Sequence, residues 1–327
     1  IGLWLVPLLD HELIGAQPAV CTRVRETVSA AVSCGARGVA LTGLLASSTD
    51  YGRCVGELSG SVALTTGHAA TAAAVLLTLR ALLRSTGRTL KHERLAVLGV
   101  GSIGRAVLEL VLQRLPHPEA IVLCDLPSRR ERLEVLARQL VARGTRAAIE
   151  IVTAGGTPGS SLYSASVILG ATSVADVLDI ARLRPGTLVV DDSAPHCFSP
   201  ADAIARMSAQ RDIVACEAGS ICAPSSIECS VFADEPLGAP ALHELDQFFG
   251  VDEREIMACT LAALLPQTVP GLAPTLGEPS VESSVAHVEA FARLGIAHAT
   301  PRLGATPLPE GLLGELAQRY GFTKPGA

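Results

Sequence analysis

The sequence predicts an α/β fold, with a doubly wound parallel sheet and a second, discontinuous α/β domain. From Arg94 onward, short apolar runs alternate with segments of helical periodicity. A glycine-rich segment, Gly99 to Gly104, lies between the first apolar run and the helix that follows it. The 327 residues, of which 49% are hydrophobic, are enough for two domains with a large core.

Five apolar runs are predicted as strands of one sheet, and they cover residues 95–100, 120–126, 148–152, 167–170 and 188–190. Amphipathic segments over 104–115 and 129–143 are predicted as helices between the first three of them. Strands separated by helices favour parallel pairing with helices on both faces of the sheet. We expect this sheet to form one domain over residues 88–215.

The flanking parts, residues 1–87 together with 216–327, are predicted to form the second domain. Before the sheet we expect a helix over 18–34, a buried strand over 38–45 and a long helix from His68 to Ser85. After it we expect helices over 252–265, 281–294 and 310–320. The proline- and glycine-rich stretch 266–279 indicates a linker.

Charge and composition exclude several classes of function. The formal net charge of −6 provides no basic field for nucleic acid, and the 3% aromatic content argues against base stacking. The most apolar helix, residues 69–82, is interrupted by Arg80 and is too short for a transmembrane segment. The start of the sequence lacks a secretory signal, so a cytoplasmic location is expected.

The nine cysteines form no recognisable disulfide framework, because their number is odd and no CxxC pair occurs. Reduced thiols in a cytosolic compartment are therefore expected. Cys216, Cys222 and Cys229 are close in sequence, but their spacings fit no common zinc site. No metal is predicted.

The segment Gly99-Val100-Gly101-Ser102-Ile103-Gly104 has the dinucleotide-binding pattern of a Rossmann-type fold. Gly99 permits the tight turn, Gly101 lets the backbone approach a pyrophosphate, and Gly104 allows close packing of helix on strand. Ser102 and Ile103 begin the helix, whose free N–H groups favour phosphate. The pattern predicts a nicotinamide dinucleotide site.

The sequence leaves the choice between NAD and NADP open. Asp125 ends the second strand, where a carboxylate accepts the ribose 2′-hydroxyl and favours NAD. Arg129 and Arg130 follow it and are candidates to bind a 2′-phosphate. They are equally well explained as the exposed first turn of a helix.

Several motifs outside the glycine loop occur in a characteristic order. They are Leu41-Thr42-Gly43 with Ser47, Thr65-Thr66-Gly67, Asp191 with Pro195, Glu253-Arg254, and Met257-Ala258-Cys259. In this order and spacing the chain, from about Leu8 to Leu303, resembles the cyanobacterial-type long-chain acyl-acyl carrier protein reductases. That family reduces acyl thioesters to aldehydes.

The resemblance implies NADPH-dependent reduction, with NADH as the other possibility, of an acyl group carried by acyl carrier protein or coenzyme A. It implies that Cys259 accepts the acyl group and that Thr42, Gly43, Ser47, Thr65 and Thr66 lie at the substrate. A thiolate is a good nucleophile toward a thioester. The resemblance also suits a reductase domain of a multidomain synthase.

Three residue types near these motifs have structural as well as functional interpretations. His68 could donate a proton to the substrate oxygen, or it could be a residue of a helix N-terminus. Asp191 and Asp192 end a strand at the edge where ligands bind, although acidic residues also favour turns. Cys259 could equally be a small core residue of an apolar helix.

Two alternative functions remain open from the sequence. One is a small-molecule dehydrogenase of the shikimate dehydrogenase type, whose glycine loops look much like this one. The other is a catalytically inactive NAD(P)-binding module that serves as a scaffold or sensor in a synthase. Acylation of Cys259 by a thioester would distinguish the thioester reductase from the inactive module.

Overall fold

The computed structural model describes residues 2–4, 6, 8, 13, 18–55, 62–156, 158–228 and 252–322. Helices in these ranges are α1 (Pro18–Ser33), α2 (Leu45–Ser48), α3 (His68–Ser85), α4 (Ser102–Arg114), α5 (Arg130–Ala142), α6 (Ser160–Tyr163), α7 (Pro200–Ala209), α8 (Ala258–Leu261), α9 (Leu265–Thr268), α10 (Val281–Leu294) and α11 (Leu312–Tyr320). Short 3₁₀ turns cover Arg53–Val55, Leu90–His92, Pro127–Arg129 and Ile180–Arg182.

The strands fall into four sheets among the described residues. They are β1 (Gly38–Ala40), β2 (Ala63–Thr65), β3 (Arg94–Leu98), β4 (Ala120–Asp125), β5 (Ala148–Thr153), β6 (Val167–Gly170), β7 (Leu188–Asp191), β8 (Val214–Glu217), β9 (Ser220–Cys222), β10 (Glu255–Met257), β11 (Ala297–His298), β12 (Arg302–Leu303) and β13 (Thr306–Pro307). β1 and β2 pair in parallel, β9 pairs with β10 and β11, and β12 and β13 form a hairpin.

The largest sheet has six strands in the order β5-β4-β3-β6-β7-β8, and all of its pairs are parallel. In chain order this is 3-2-1-4-5-6, the order of the doubly wound Rossmann fold. The predicted α/β fold class is therefore confirmed. The strand order reverses between β3 and β6, and in such folds ligands bind outside the carboxyl ends of the strands at this point.

Burial explains why these apolar runs form central strands. Leu95, Ala96 and Val97 of β3 have no exposed surface, as expected for a parallel sheet covered on both faces. Helix α3 packs against α4 and α10 and contributes Leu79, which is fully buried, to the same core. The sheet is thus held by a helix that precedes it in the chain by several residues.

The hydrophobic cores do not follow the predicted domain boundaries at residues 88 and 215. The larger core combines sheet residues with Leu79 of α3 and Phe291 of α10. A smaller core near the N-terminus includes Val24, Val28 and Leu64. The two-domain boundaries stay a prediction.

The expectation that all the cysteines are reduced is wrong, because Cys21 and Cys54 form a disulfide with a Cα–Cα distance of 5.8 Å. Helix α1 and the 3₁₀ turn at Arg53–Val55 pack together, and Arg25 donates hydrogen bonds to the carbonyls of Cys54 and Val55. A separation of 33 residues along the chain gives no sequence signal for this pairing. Disulfides are typical of oxidising compartments, so the cytoplasmic location stays a prediction.

The predicted helix over 252–265 is wrong in its first half, where the structure has strand β10 followed by the short helix α8. Glu255 is buried, its carboxylate bonds to Arg302, and it accepts a hydrogen bond from the Thr300 N–H. These partners, together with pairing to β9, outweigh the local helical periodicity. The predicted strand over 38–45 is also shorter, since β1 ends at Ala40 and α2 begins at Leu45.

The stretch 266–279 is not a free linker. After α9, the backbone of Thr275 pairs with that of Thr66, and the Gly277 N–H donates to the Tyr51 carbonyl at 2.8 Å. We call residues 269–280 the crossing segment, because this segment contacts both the last residue of β2, through Thr275, and the first turn of α4, through Glu278. Among the described helices, none has both the length and the apolar character needed to cross a membrane.

Candidate functional site

The glycine loop connects β3 to α4 at the point where the strand order reverses. Gly99 has φ +88°, and a Cβ there would lie 2.4 Å from the Ala171 carbonyl oxygen after β6. A Cβ on Gly104 would lie 2.0 Å from the Gly99 oxygen, so helix and turn touch directly. At Gly101, by contrast, a Cβ would meet no described atom within 4 Å. The backbone at Gly101 therefore faces open space.

Two residues at the start of α4 connect this loop to the rest of the site. Ser102 is buried, and its hydroxyl lies 2.8 Å from Nδ1 of His68. Ile103 packs against the large core and fixes the first turn of the helix. His68 begins α3, so one hydrogen bond joins the first turns of two long helices.

Asp125 ends β4 beside the loop. Its Oδ2 accepts a hydrogen bond from the Val100 N–H at 3.0 Å, and its Oδ1 accepts one from the Leu126 N–H at 2.7 Å. A cleft of about 280 Å³ opens next to it and is lined by Gly101, Asp125 and Arg129 among others. Arg130 is not among the lining residues and instead pairs with Glu134 at 3.1 Å. The structure thus brings Arg129, but not Arg130, to the cleft.

Cys259 lies in α8, against the start of α3. A Cβ on Gly67 would stand 2.8 Å from both Cα and Cβ of Cys259, so the residue before His68 must be glycine. The thiol interacts with the backbone of Gly43 and with Thr260, and these hydrogen bonds lower its pKa. Burial and the nearby Asp192 carboxylate have the larger effect and raise the pKa of Cys259 above its usual range.

The electrostatics of His68 follow from its position. Burial lowers the pKa of His68 to about 4, and the Glu278 carboxylate opposes this shift. The imidazole is therefore neutral near pH 7 and is a hydrogen-bond donor or acceptor, not a cation. The Tyr51 ring packs edge-on against it, with 5.7 Å between the ring centroids.

Asp191 is the last residue of β7 and Asp192 follows it, but the two differ in their surroundings. Asp191 is fully bonded, because its carboxylate accepts from the backbone N–H groups of Ser193 and Cys197 and pairs with His196 at 2.9 Å. Asp192 lies against Gly219, where a Cβ would stand 2.3 Å from its Oδ1. Burial and the charge of Asp191 raise the pKa of Asp192 to about 8.

The predicted substrate residues divide into two groups. The backbone of Gly43 reaches the Cys259 thiol, and Thr42 lines an apolar groove next to Thr260. The hydroxyls of Thr65 and Thr66 instead accept hydrogen bonds from the backbone at the start of α3. Ser47 is exposed, and its hydroxyl donates to the Leu44 carbonyl in its own helix. The substrate roles of these five residues stay predictions.

The apolar groove has a volume of about 290 Å³, and its lining includes Thr42 and Thr260 together with the exposed side chains of Trp4 and Leu264. Its walls come from α1, from β1 and from the turn after α8, and they include Val24, Thr27, Val28, Ala31, Val39, Leu45 and Ala263. The Thr260 hydroxyl is buried and, apart from the neighbouring thiol, has no hydrogen-bond partner in the described structure. An orphaned buried donor of this kind points to a ligand atom.

Some residues of the site gave no signal in the sequence. Arg105, Arg132 and Glu278 line the cleft beside Asp125, although Glu278 belongs to the supposed linker. Arg105 lies in the first turn of α4, close in sequence to the glycine loop, so its place in the cleft could have been expected. Nothing in the sequence connects Glu278 to this cleft. Within the described ranges, no group of three His, Cys, Asp or Glu side chains could hold a metal, and Cys229 lies outside those ranges.

No protein-family model and no curated protein matches the chain. Parts of the fold are similar to solved structures. Δ1-pyrroline-2-carboxylate reductase from Thermococcus litoralis, in complex with NADH and L-proline, is 13% identical over 39% of this chain and 37% of its own, with a TM-score of 0.30. Quinate dehydrogenase from Corynebacterium glutamicum, in complex with NAD, is 18% identical over 39% and 43%, with a TM-score of 0.28.

L-tryptophan dehydrogenase from Nostoc punctiforme is 12% identical over 61% of this chain and 54% of its own, with a TM-score of 0.32. This chain thus covers between about two fifths and just over half of the length of these three proteins. Similarity at these TM-scores does not assign a function.

Proposed function

We propose that the chain is an NAD(P)H-dependent oxidoreductase that reduces an acyl thioester to an aldehyde through an acyl group on Cys259. The observation that carries this proposal is the contact between two halves of the site. Cys259 touches the residue before His68, and His68 bonds to Ser102 of the glycine loop. The proposed nucleophile, Cys259, is therefore connected to the glycine loop through a single side chain, that of His68.

The glycine loop has the geometry that a dinucleotide needs. Open space at Gly101 leaves room for a pyrophosphate beside the backbone, and the N-terminus of α4 favours its negative charge. The Asp125 carboxylate at the end of β4 is placed to accept ribose hydroxyls. Gly101, Ser102, Ile103 and Asp125 would hold a nicotinamide dinucleotide, which supplies a hydride when bound.

The apolar groove suits the acyl part of such a substrate. Its lining includes Thr42 and Thr260, which interacts with the thiol, and most of the other lining residues are apolar. Burial of each methylene of an acyl chain contributes about 0.8 kcal/mol. The Thr260 hydroxyl lines the groove beside the thiol, and the thiol is its one interaction partner in the described structure. An acyl carrier protein or coenzyme A would then deliver the acyl group from outside.

The proposed reaction balances in two steps. The Cys259 thiol adds to the thioester, its proton passes to the departing thiol, and an acyl-cysteine forms. The acyl carbon of the acyl-cysteine would then accept the hydride that a bound dinucleotide supplies, the C–S bond would break, and the aldehyde would leave while the Cys259 thiolate takes up a proton from solvent. His68, as a neutral imidazole, would donate a hydrogen bond to the carbonyl oxygen during hydride addition.

The raised pKa of Cys259 explains why the resting thiol would be stable. Because its pKa is raised, the thiol stays protonated at neutral pH, and its proton would leave with the departing thiol during acyl transfer. Hydrogen bonds from Gly43 and Thr260 would stabilise the thiolate as it forms.

The substitution Cys259→Ser tests the proposal. We expect aldehyde formation to fall at least about a thousandfold, because a serine hydroxyl without an adjacent base is a poor nucleophile. Fluorescence titration of NADH and NADPH should be unchanged. Mass spectrometry of wild-type protein with acyl-coenzyme A alone should find the acyl group on Cys259, and added NAD(P)H should remove it.

Cys34→Ser is the matched control, since Cys34 is an exposed free thiol at the end of α1. It should keep wild-type reduction and the same adduct. If Cys259→Ser reduces thioesters at the wild-type rate, covalent catalysis by this residue is wrong. If the wild-type protein binds dinucleotide but neither forms the adduct nor reduces thioesters, the chain is a nucleotide-binding module.

A further inference from the structure

The cleft beside Asp125 has an unusual balance of charge. Three arginines and three carboxylates line it, and they are Arg105, Arg129, Arg132, Asp125, Glu131 and Glu278. Five of these six lie on α4, at the end of β4 or at the start of α5. Glu278 is different, because it comes from the crossing segment, 146 residues after Arg132.

Glu278 holds two of the arginines at once. Its Oε1 accepts a hydrogen bond from Nη2 of Arg132 at 3.0 Å, and its Oε2 lies 3.7 Å from Nη1 of Arg105. The two guanidinium groups come from different helices, α4 and α5, and both line the cleft. One carboxylate therefore bridges the cleft between both helices.

The backbone around Glu278 is fixed on both sides. The Gly277 N–H donates to the Tyr51 carbonyl, and the Thr275 N–H donates to the Thr65 hydroxyl at 3.2 Å. On the other side, the Ser280 hydroxyl accepts from the Ser283 N–H and caps α10. The carboxylate is thus delivered to the arginines by an anchored segment, and not by a freely rotating surface side chain.

Paired arginines beside the ribose-binding carboxylate are the groups that bind a 2′-phosphate in proteins that select NADP. Here Glu278 already accepts a hydrogen bond from Arg132 and forms an ion pair with Arg105, which also pairs with Glu109 at 3.3 Å. A phosphate entering this part of the cleft would have to displace the carboxylate and would meet its charge as well as that of Asp125. A ribose with a free 2′-hydroxyl meets no such obstacle.

We propose that Glu278 is a specificity residue that occupies Arg105 and Arg132 and so excludes the 2′-phosphate, making the chain selective for NADH over NADPH. The inference rests on the proposed nicotinamide cofactor. It goes beyond that proposal because it chooses between the two dinucleotides, and it assigns the choice to a residue of the crossing segment.

The test is the substitution Glu278→Gln, read by fluorescence titration of the purified protein with NADH and with NADPH. Glutamine keeps the size of the side chain and removes its charge. We expect the affinity for NADPH to rise about fivefold relative to that for NADH, as the arginines become available. The double variant Glu278→Gln with Arg132→Gln should lose most of this gain, because one phosphate partner is gone.

Glu134→Gln is the matched control. It removes a carboxylate from another ion pair, that of Glu134 with Arg130. This pair lies on α5, the helix that carries Arg132, but neither residue lines the cleft. The ratio of its affinities for NADPH and NADH should match the ratio measured for the wild type. An unchanged ratio in Glu278→Gln, with both dinucleotides still bound, would overturn the inference and leave the proposed function intact. If the wild-type protein binds neither dinucleotide, the proposed function fails and the inference fails with it.

Discussion

The cleft beside Asp125 and the groove beside Thr260 differ sharply in their chemistry. The cleft beside Asp125 is lined by charged side chains of both signs, whereas the groove beside Thr260 has Arg37 as its one charged lining residue in the described structure. Charged groups in fixed positions discriminate between ligands by charge, and an apolar wall discriminates by length and shape. If the proposed function holds, the difference predicts that the dinucleotide is selected by charge and the acyl group by length and shape.

The largest effect should come from Gly101→Val, which removes the open space of the cleft. The backbone at Gly101 has φ −78°, which valine tolerates, and no described atom stands within 4 Å of a Cβ there. The variant should therefore fold and still lose dinucleotide binding at least a hundredfold, as the side chain fills the pyrophosphate position.

Fluorescence titration with NADH and a thermal melt check this prediction together. Gly104→Val serves as the contrast, because a Cβ at Gly104 would collide with the Gly99 oxygen and should lower the melting temperature instead. Undiminished dinucleotide binding by a folded Gly101→Val protein would contradict the site assignment.

A smaller effect is expected from Thr27→Phe, which narrows the apolar groove from α1. Thr27 is half-buried in the groove wall, and its hydroxyl bonds only to the Arg23 carbonyl in its own helix. We expect kcat/KM for a long acyl thioester to fall about tenfold, against about twofold for an acetyl thioester. Ala30→Phe, on the exposed side of the same helix, should leave both values unchanged. Equal losses on the two substrates would show that the groove does not hold the acyl chain.

The smallest effect concerns Asp192→Asn and the titration of Cys259. Because the pKa of Asp192 is about 8, its carboxyl is neutral at pH 7 and charged at pH 9. The charged form raises the pKa of Cys259, so its removal should lower the midpoint of thiol alkylation. At pH 9 we expect alkylation of Cys259 about threefold faster than in the wild type, or about 0.7 kcal/mol, with little change at pH 7.

Rates of iodoacetamide labelling, measured for each cysteine by mass spectrometry between pH 6 and pH 10, provide this test. The exposed Cys34 is an internal control and should label identically in both proteins.

The substitution Asp192→Asn should also change the free energy of unfolding, with a definite sign. The folded pKa of Asp192 lies above the unfolded value near 3.8, so the carboxyl destabilises the fold increasingly as pH rises from about 4 to 8. Asp192→Asn should therefore be more stable than the wild type at pH 8 and equal to it at pH 3.

The sheet was predictable because its signals are local. Each of its first five strands was expected within a few residues, and the glycine pattern placed the turn between β3 and α4 correctly. Parallel strands buried on both faces are continuous apolar runs, which a single sequence displays directly. The contacts at Gly99 and Gly104 also match the tight turn and the close packing of helix on strand that the pattern predicts, whereas the pyrophosphate role of Gly101 stays a prediction.

What the sequence did not reveal depends on contacts between distant segments. The Cys21–Cys54 disulfide, the Arg302 partner that makes Glu255 a strand residue, and the placement of Glu278 all need the tertiary fold. The crossing segment was misjudged as a linker because its prolines and glycines indicate turns, while its anchors are backbone hydrogen bonds. Composition cannot distinguish an anchored turn from a free one.

The hydrogen bond between His68 and Ser102 also has a mechanical consequence. It ties the first turn of α3 to the first turn of α4, and the two helices pack against each other along their length. A rotation of either helix end would break this bond and disturb the packing behind it. The packing of Cys259 against Gly67 and the bond of His68 to Ser102 therefore couple the position of the thiol to that of the glycine loop, so that a shift of one displaces the other.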